Sequence, residues 1–154
     1  MKEEEKLTEF QKLIDYKFNN EALLAQALYT AKYGNFNNQR KHCKEFSTIG
    51  DIVLKLILAL KEYDDGIRTP EGITVSKQML ESNETFKKIA LTEFSLDKYV
   101  TSMNDEDLVE SIILADIFEA IAGAMFLDSN RDYLTVQEKI VNKFYDKYKS
   151  EFYK

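Results

Sequence analysis

The stretch Ile112–Leu127 reads IILADIFEAIAGAMFL and is one of the two most apolar parts of the chain. Apolar residues occupy nearly every position, which predicts a helix that is buried on most sides. Its only charged residues are Asp116 and Glu119, and their spacing of three places both carboxylates on one side of the helix. An ionised carboxylate buried there without a partner is strongly destabilising. We therefore expect something to neutralise these two acids.

A second apolar segment runs from Phe46 to Tyr63 and has the same helical spacing of apolar residues. It is predicted to form a helix that ends at the turn Asp64-Asp65-Gly66. Asp51 is the only acid between Phe46 and Leu60, and it follows Gly50 near the start of this helix. The two most apolar helices thus contain three isolated acids.

The rest of the chain predicts further helices and a single all-α domain over residues 1–154. One proline and five glycines among 154 residues are too few to form the turns of a strand-rich fold. Asn- and base-rich residues 29–44 are expected to form a mobile basic loop, and residues 1–7 to be disordered. Shorter helices are predicted at 8–15, 20–28, 73–80 and 82–94, with loops at 68–72 and 104–107. Either Ser82 or Asn83 can cap the helix at 82–94. Within residues 129–154, a C-terminal amphipathic helix begins at Asp132 or Thr135 and runs towards Tyr153, with Val136, Ile140, Phe144 and Tyr148 as its apolar stripe.

Charge and composition exclude several classes of protein. The chain has 21 basic and 27 acidic residues, a net charge of −6, which argues against a simple polybasic nucleic-acid binder. One cysteine, Cys43, excludes an internal disulfide framework and a Cys-rich zinc site. The N-terminus lacks a signal-peptide pattern, and charges interrupt both apolar segments before they reach membrane-spanning length. We expect a soluble, cytoplasmic protein.

The three acids can be explained in two ways. Asp51 can pair with Lys55 one turn later, and Asp116 and Glu119 can face solvent or meet an arginine. Alternatively, the three share a divalent cation, and their oxygen ligands suit Mg²⁺ or Mn²⁺. His42 is the only histidine, which disfavours zinc and a Glu-x-x-His di-iron site, and it is expected to be an ordinary loop residue. The concentration of acids in the two apolar helices favours the cation site.

The order and spacing of five segments resemble the catalytic domain of the ribonuclease III family. The resemblance runs from about Ile14 to Asp128, and its strongest part is the second acidic motif. The segments are Ile14–Leu28, Ile49–Leu54, Glu71–Thr74, Ser82–Phe86 and Ile113–Asp128.

This resemblance implies an all-α endonuclease that acts as a homodimer on double-stranded RNA. It also implies Mg²⁺-dependent hydrolysis, for which Mn²⁺ can substitute, in which activated water attacks a phosphodiester and the 3′ oxygen leaves. Carried over by position, Asp51, Asp116 and Glu119 are the expected catalytic and metal-binding residues.

The chain departs from the family pattern at two places. The signature usually reads Glu-Arg-Leu-Glu-Phe-Leu-Gly-Asp, so the usual fourth metal-site carboxylate falls on Ser47, one turn before Asp51. Glu45 is a poor substitute because it lies about a third of a turn from the required face. The family's Thr-His-x-Ser segment is replaced by residues 29–32. Two readings follow: an active nuclease with three carboxylates, or a catalytically impaired domain that acts as a scaffold for RNA or another protein.

RNA binding is expected to rest on the catalytic domain, because no segment after Asp128 is long enough for the double-stranded-RNA-binding domain of full-length family members. RNA binding should be modest and salt-dependent, and it should depend on a few basic side chains. The candidates are Arg40, Lys41, Lys44 and Lys77. Structured RNA such as a ribosomal precursor stem is the expected substrate class. A third alternative, an all-α nucleoside-triphosphate pyrophosphohydrolase, lacks its paired acidic motifs in this chain.

Overall fold

The fold is built from helices, as the composition predicts. The computed structural model describes residues 1–152, with the side chains of residues 1–78 and 81–149. Within this part of the chain the only strand-like pairing is a parallel bridge between Tyr29 and Thr101. The helices are α1 (Glu3–Ile14), α2 (Glu21–Ala27), α3 (Ala31–Asn37), α4 (Lys44–Asp64), α5 (Pro70–Leu80), α6 (Asn83–Thr92), α7 (Ile113–Asp128), α8 (Tyr133–Lys139) and α9 (Tyr145–Phe152), with 3-10 turns at Leu96–Lys98 and Val141–Lys143.

Helices α4 and α7 form the centre of the molecule and pack against each other more extensively than any other pair. Two glycines allow their backbones to approach closely. A Cβ on Gly50 would lie 1.7 Å from the Glu119 carbonyl oxygen, and one on Gly123 would lie 2.2 Å from that of Phe46. Larger side chains at either position would push the helices apart. The crossing therefore fixes Asp51, next to Gly50, against the turn of α7 that contains Glu119.

The remaining helices enclose this pair. Helices α2, α6 and α8 pack on α7, and α5 packs on α4. Phe118 of α7 stacks against three aromatic rings from α6, the turn after it and the C-terminal segment, with ring centroids 5.1–5.8 Å apart, namely those of Phe86, Phe94 and Phe144. Such contacts stabilise the core beyond the area they bury. The core thus holds α7 from several sides, as its apolar sequence predicts.

Two expectations for the N-terminal part are wrong. Residues 3–7, expected to be disordered, form the first turns of α1, because the buried residues Leu7 and Phe10 dock this helix on the core. Most of the expected mobile basic loop, residues 29–44, is ordered as α3 and the turn that leads into α4. The Thr30 hydroxyl caps α3 by accepting a hydrogen bond from the Tyr33 amide (3.1 Å) and donates one to Glu106 (2.6 Å). A local cap and a distant partner therefore outweigh the loop-like composition.

The C-terminal helix begins after Asp132 as predicted but is not continuous. Asp132 accepts a hydrogen bond from the Leu134 amide, and the chain breaks at Ile140 into α8, a 3-10 turn and α9. The predicted stripe of Val136, Ile140, Phe144 and Tyr148 is buried as expected. Val141 and Tyr145 are buried too, which one straight amphipathic helix with a narrow stripe would not allow. The predicted end near Tyr153 lies outside the described residues.

The connection before α5 is shorter than predicted. Residues 70–72, expected in a loop, form the first turn of this helix, because Thr69 caps it by accepting a hydrogen bond from the Gly72 amide and Pro70 suits the first helical position. The Ser82 hydroxyl caps α6 in the same way, and Ser82 is one of the two caps that the sequence predicts. No helix among the described residues is long and apolar enough to cross a membrane.

Candidate metal centre

The crossing of α4 and α7 brings the predicted acids together at the surface of the core. The carboxyl group of Glu119 is within hydrogen-bonding reach of Asp51 and within the field of Asp116. Glu119 is buried, with 9% of its surface exposed, whereas the side chains of Asp51 and Asp116 are 35% and 22% exposed. A deep acid is thus flanked by two acids that solvent can reach.

Glu119 retains a proton at neutral pH in this arrangement. Burial raises its pKa to about 8, aided by the hydrogen bond with Asp51 and by the charges of Asp51 and Asp116. Only a protonated carboxyl can donate a hydrogen bond to another carboxylate. The proton therefore reduces the repulsion that three ionised acids would suffer here.

Two lysines neutralise the outer acids. Lys44 Nζ donates to Asp116 Oδ2 at 2.5 Å, and Lys55 Nζ lies 2.9 Å from Asp51 Oδ2. The hydrogen bond to Asp51 raises the pKa of Lys55. The expected Asp51–Lys55 pair is therefore present, and the partner of Asp116 is a lysine from the start of α4 rather than an arginine. Both lysine side chains are about half exposed, so water can reach them and a cation from solvent can compete with them for the two acids.

The fit of a divalent cation can be judged from this geometry. Among the residues described, no three acidic, histidine or cysteine side chains lie close enough together to bind a metal ion as they stand. The donor set itself, carboxylate oxygens from two rigid helices, matches the preference of Mg²⁺ and Mn²⁺. A proton and two ammonium groups supply the positive charge that such a cation would bring. The residues therefore fit the ion chemically, and binding requires the lysines to release their partners.

Ser47 and Glu45 occupy the positions that depart from the family signature. The Ser47 hydroxyl donates a hydrogen bond to the Lys44 carbonyl oxygen, 3.3 Å away, and so turns back on its own helix. Glu45 is exposed and accepts a hydrogen bond from Gln26 of α2 at 2.5 Å. Glu45 is therefore engaged with α2, which fits its expected unsuitability as a substitute ligand.

Two features of the site were missed by sequence reasoning. Gly123 permits the close helix crossing, and an isolated glycine inside an apolar helix could have indicated a close approach of backbones. Glu81 at the end of α5 is the other, because its buried carboxyl lies in the field of Asp51 and Lys55. No local pattern distinguishes Glu81 from an ordinary surface acid, since its burial depends on the packing of α5 against α4.

The candidate RNA-binding residues occupy different environments. Arg40 and Lys41 are exposed on the turn that precedes α4, whereas Lys44 binds Asp116 and Lys77 lies 4.0 Å from Glu81. A cleft of about 330 Å³ opens beside Asp116 and is lined in part by Lys32, Lys44 and Glu106.

His42 is an ordinary turn residue whose Nδ1 accepts a hydrogen bond from the Lys44 amide. Burial raises the pKa of Cys43 to about 11, so its thiol is inert at neutral pH.

Comparison with known proteins assigns this fold and site to a family. The family model of the ribonuclease III domain matches residues 44–130 of the sequence, a range that contains all three candidate acids. The chain belongs to the ribonuclease III domain family. This assignment confirms the resemblance inferred from the sequence and favours it over the pyrophosphohydrolase alternative.

Relatives within the ribonuclease III family cover most of the chain. Ribonuclease 3 of Limosilactobacillus reuteri is 32% identical over 121 residues, which are 74% of this chain and 52% of that protein. Ribonuclease 3 of Aliarcobacter butzleri is 32% identical over 147 residues, 91% of this chain and 63% of its own length. The chain thus spans about half to two thirds of the length of these relatives.

Solved structures of the ribonuclease III nuclease domain from Campylobacter jejuni share the fold. One superposes with a TM-score of 0.79 at 22% identity and covers 100% of this chain and 99% of its own. A second has a TM-score of 0.72 at 20% identity, covering 86% of this chain and 96% of its own, and is described as flexible in a region involved in dimer formation. The all-α nuclease-domain architecture predicted from the sequence is therefore confirmed.

Proposed function

We propose that the chain is a Mg²⁺-dependent endoribonuclease of the ribonuclease III type that cleaves double-stranded or structured RNA. The observation that carries this proposal is the meeting of Asp51, Asp116 and Glu119 where α4 crosses α7 within a ribonuclease III domain. A ribosomal precursor stem in the cytoplasm is the substrate we favour, because RNA duplexes are recognised mainly by shape.

Asp51, Asp116 and Glu119 would hold the cation. When bound, Mg²⁺ supplies a water of lowered pKa and neutralises charge on the phosphodiester as the 3′ oxygen leaves. The residues of the chain prepare for this in two ways: the Gly50–Gly123 crossing fixes the acids on rigid helices, and Glu119 would release its proton to solvent on binding a cation. Lys44 and Lys55, which now hold Asp116 and Asp51, would be displaced from these acids and available to the RNA phosphates.

Contact with RNA is proposed to begin on the turn before α4. Arg40 and Lys41 are exposed there, three or four residues before Lys44, whose ammonium reaches Asp116. A duplex held by this turn would lie near the acids. Lys77 belongs to the same proposal as a more distant contact. Because each contact is electrostatic, replacing Arg40 or Lys41 by alanine should weaken binding of all duplexes alike and reduce the salt dependence by about one charge each.

A homodimer is proposed through the exposed face of α4. Ile52, Leu56 and Tyr63 project from this helix with exposures of 63%, 47% and 49%. Ile52 and Leu56 are sequence neighbours of Asp51 and Lys55, so a partner on this face would lie beside the acidic site. A second copy of the chain is the proposed occupant, since a nuclease domain with the same fold has a region involved in dimer formation. Covering this face would remove apolar surface from water.

The test is cleavage of a long RNA duplex by Asp116→Asn. The amide retains the size of the side chain but lacks the negative charge needed to bind Mg²⁺, so we expect cleavage to be lost while the circular dichroism spectrum is unchanged. Asp97→Asn is the matched control, since Asp97 is exposed in the 3-10 turn Leu96–Lys98. Cleavage by Asp116→Asn at the rate of the control would refute the assignment.

A catalytically impaired scaffold is the alternative, and Ser47 is the observation that favours it. Its hydroxyl is neutral, so it adds no negative charge to the site, and it is hydrogen-bonded to the backbone of its own helix. This alternative predicts that the chain binds duplex RNA without cleaving it in Mg²⁺ or Mn²⁺, and that Ser47→Glu gains cleavage. Cleavage by the unmodified chain in Mg²⁺ would exclude it.

A further inference from the structure

Glu81 is a buried acid beside the candidate metal centre that the family signature does not include. It follows the last residue of α5, and its amide closes that helix by donating to the Lys77 carbonyl oxygen. Its side chain is only 9% exposed. Oε2 is fully buried and has no hydrogen-bond partner, which is rare for a buried polar atom in a folded protein.

The surroundings of Glu81 connect it to the three acids. Lys55 Nζ is bonded to Asp51 Oδ2 at 2.9 Å, and the charges of Glu81 and Glu119 both act on this same ammonium. Glu81 in turn lies in the field of Asp51. The Lys55 ammonium therefore contacts a carboxylate of α4 and lies in the field of carboxylates at the end of α5 and in α7. A single cation among three carboxylates on separate elements is the charge arrangement of a metal site.

A structural role for Glu81 accounts poorly for this placement. Its nearest ammonium, that of Lys77, is 4.0 Å from Oε1, at the outer limit of an ion pair, and neither Lys77 nor Lys55 is hydrogen-bonded to Oε2. Burial raises the pKa of Glu81 to about 7, although the charges of Lys77 and Lys55 oppose the shift. A residue present only to stabilise the α4–α5 contact would do so better as an apolar side chain.

We propose that Glu81 is the fourth carboxylate of the acidic site and supplies the negative charge that Ser47 lacks. This inference rests on the proposed metal-dependent function. Ser47 lies one turn before Asp51 and Lys55 one turn after it. Because the charge of Glu81 acts on Lys55 and Asp51, Glu81 would add its negative charge at the Lys55 end of this stretch of α4. A cation that displaced the Lys55 ammonium would then be balanced by carboxylates at 51, 81, 116 and 119. An active nuclease is compatible with Ser47 on this account.

Binding of Mn²⁺ to the full chain, followed by the electron paramagnetic resonance signal of the free ion, tests the proposal without requiring cleavage. Glu81→Gln is expected to weaken Mn²⁺ binding on the order of 10–100-fold, the usual effect of removing a supporting group from a metal site. Glu84→Gln is the matched control, because Glu84 is exposed three residues later in α6. Unfolding curves in EDTA should show Glu81→Gln at least as stable as the unmodified chain. Equal Mn²⁺ affinity for Glu81→Gln and Glu84→Gln would overturn the inference.

Two further variants distinguish the loss of a metal-binding carboxylate from a change in folding. Ser47→Glu should gain more Mn²⁺ affinity in the Glu81→Gln background than in the unmodified chain. In the unmodified chain Glu81 already supplies a fourth carboxylate, whereas the Glu81→Gln variant lacks one. Equal gains would contradict the proposal. Lys77→Met leaves Glu81 in place but removes its nearest ammonium, so it should tighten Mn²⁺ binding, and weaker or unchanged binding would count against the role.

Failure of this inference can be told apart from failure of the proposed function. If the unmodified chain neither binds Mn²⁺ nor cleaves duplex RNA in Mg²⁺, both are wrong. If it binds Mn²⁺ and cleaves RNA but Glu81→Gln binds the ion equally well, the nuclease assignment stands and Glu81 is not part of the site.

Discussion

At the scale of single residues, the acidic centre is stabilised by groups that a cation would replace. The sequence shows that Asp116 and Glu119 need neutralisation, because both lie in an apolar helix. The sequence does not show which groups neutralise these two acids. Lys44 is 72 residues from Asp116 along the chain, and the proton on Glu119 is held by burial at the helix crossing and by the hydrogen bond with Asp51 that the crossing creates. Partners of this kind depend on tertiary structure, so only the acids themselves could be predicted.

The raised pKa of Glu119 predicts that the metal-free protein loses stability as the pH rises. Its carboxyl has a pKa near 8 in the folded state and an ordinary value of 4.5 when unfolded, so the folded state binds the extra proton between these values. Between about pH 4.5 and 8 the Glu119 contribution to the free energy of unfolding should therefore fall, by at most about 1.4 kcal/mol per pH unit. Urea unfolding in EDTA at several pH values measures this slope.

Two comparisons assign the slope to Glu119. Glu119→Gln should reduce the decline and leave only the part that Glu81, whose pKa is raised to about 7, contributes at lower pH, whereas Glu84→Gln, at an exposed position, should retain the full decline. Adding Mg²⁺ at pH 8 should restore stability to the unmodified chain and have little effect on Glu119→Gln. A decline that is equally steep in Glu119→Gln would show that the proton is held elsewhere.

At the scale of helices, the α4–α7 crossing is expected to tolerate no side chain at Gly50. The Cβ of Gly50→Ala would overlap the Glu119 carbonyl oxygen at 1.7 Å, and the atom it meets is backbone that cannot rotate away. We expect a loss of about 1–3 kcal/mol in the free energy of unfolding, the usual range for overpacking, together with weaker Mg²⁺ binding. Gly72→Ala is the comparison, since its Cβ would lie 2.8 and 2.9 Å from side-chain atoms of Ile67 and Thr69, which can shift more readily than backbone, so a smaller loss is expected. Equal effects in thermal and urea unfolding would show that the crossing is not tightly constrained.

Asp128, the last residue of the second acidic motif, is expected to act on stability rather than on chemistry. Its carboxylate accepts hydrogen bonds from the Tyr16 hydroxyl (2.6 Å) and from the amides of Asn19 and Asn20 (2.8 Å each), which ties the α1–α2 connection to the end of α7. Asp128→Ala should reduce the free energy of unfolding by about 1.5–3 kcal/mol, whereas Tyr16→Phe, which removes one of these bonds, should cost less. Unchanged stability in Asp128→Ala would contradict this role, and Mn²⁺ binding should be unaffected in both variants.

The helices that were predicted from the sequence are those with strong periodicity or a clear cap. Helices α4 and α7 follow from their apolar spacing, and α6 follows from Ser82. Helix α3 was missed because its residues are rich in Asn, and its stability depends on the Thr30 cap and on Glu106 from a distant loop. The break at Ile140 was missed for a related reason, since only the packed core shows that Val141 and Tyr145 are buried as well.

At the scale of the whole molecule, a net charge of −6 makes nucleic-acid binding depend on a few local groups. The proposed dimer would add to these, since a second copy places a second acidic site and a second basic turn on the same particle. Two sites on one particle could engage the two strands of a duplex. Such avidity is one way for an acidic domain to bind RNA at moderate affinity.

The proposed dimer predicts a change of mass when α4 is altered. Leu56→Glu places a charge on the exposed apolar face and should convert the protein from a dimer to a monomer, because a buried unpaired carboxylate opposes association. Light scattering after size-exclusion chromatography measures the mass. Leu134→Glu is the control, since Leu134 is similarly exposed but belongs to α8. A dimer that survives Leu56→Glu would place the interface elsewhere.

The central claim is that this acidic domain cleaves duplex RNA with a divalent cation held by Asp51, Asp116 and Glu119. The most direct test is to incubate a long, labelled RNA duplex with the purified protein in Mg²⁺ and in EDTA, and to identify the product ends. We predict cleavage in Mg²⁺ that leaves 5′-phosphate and 3′-hydroxyl ends, none in EDTA, and none of a single strand of the same sequence. Cleavage that persists in EDTA, or an intact duplex in both Mg²⁺ and Mn²⁺, would contradict the account.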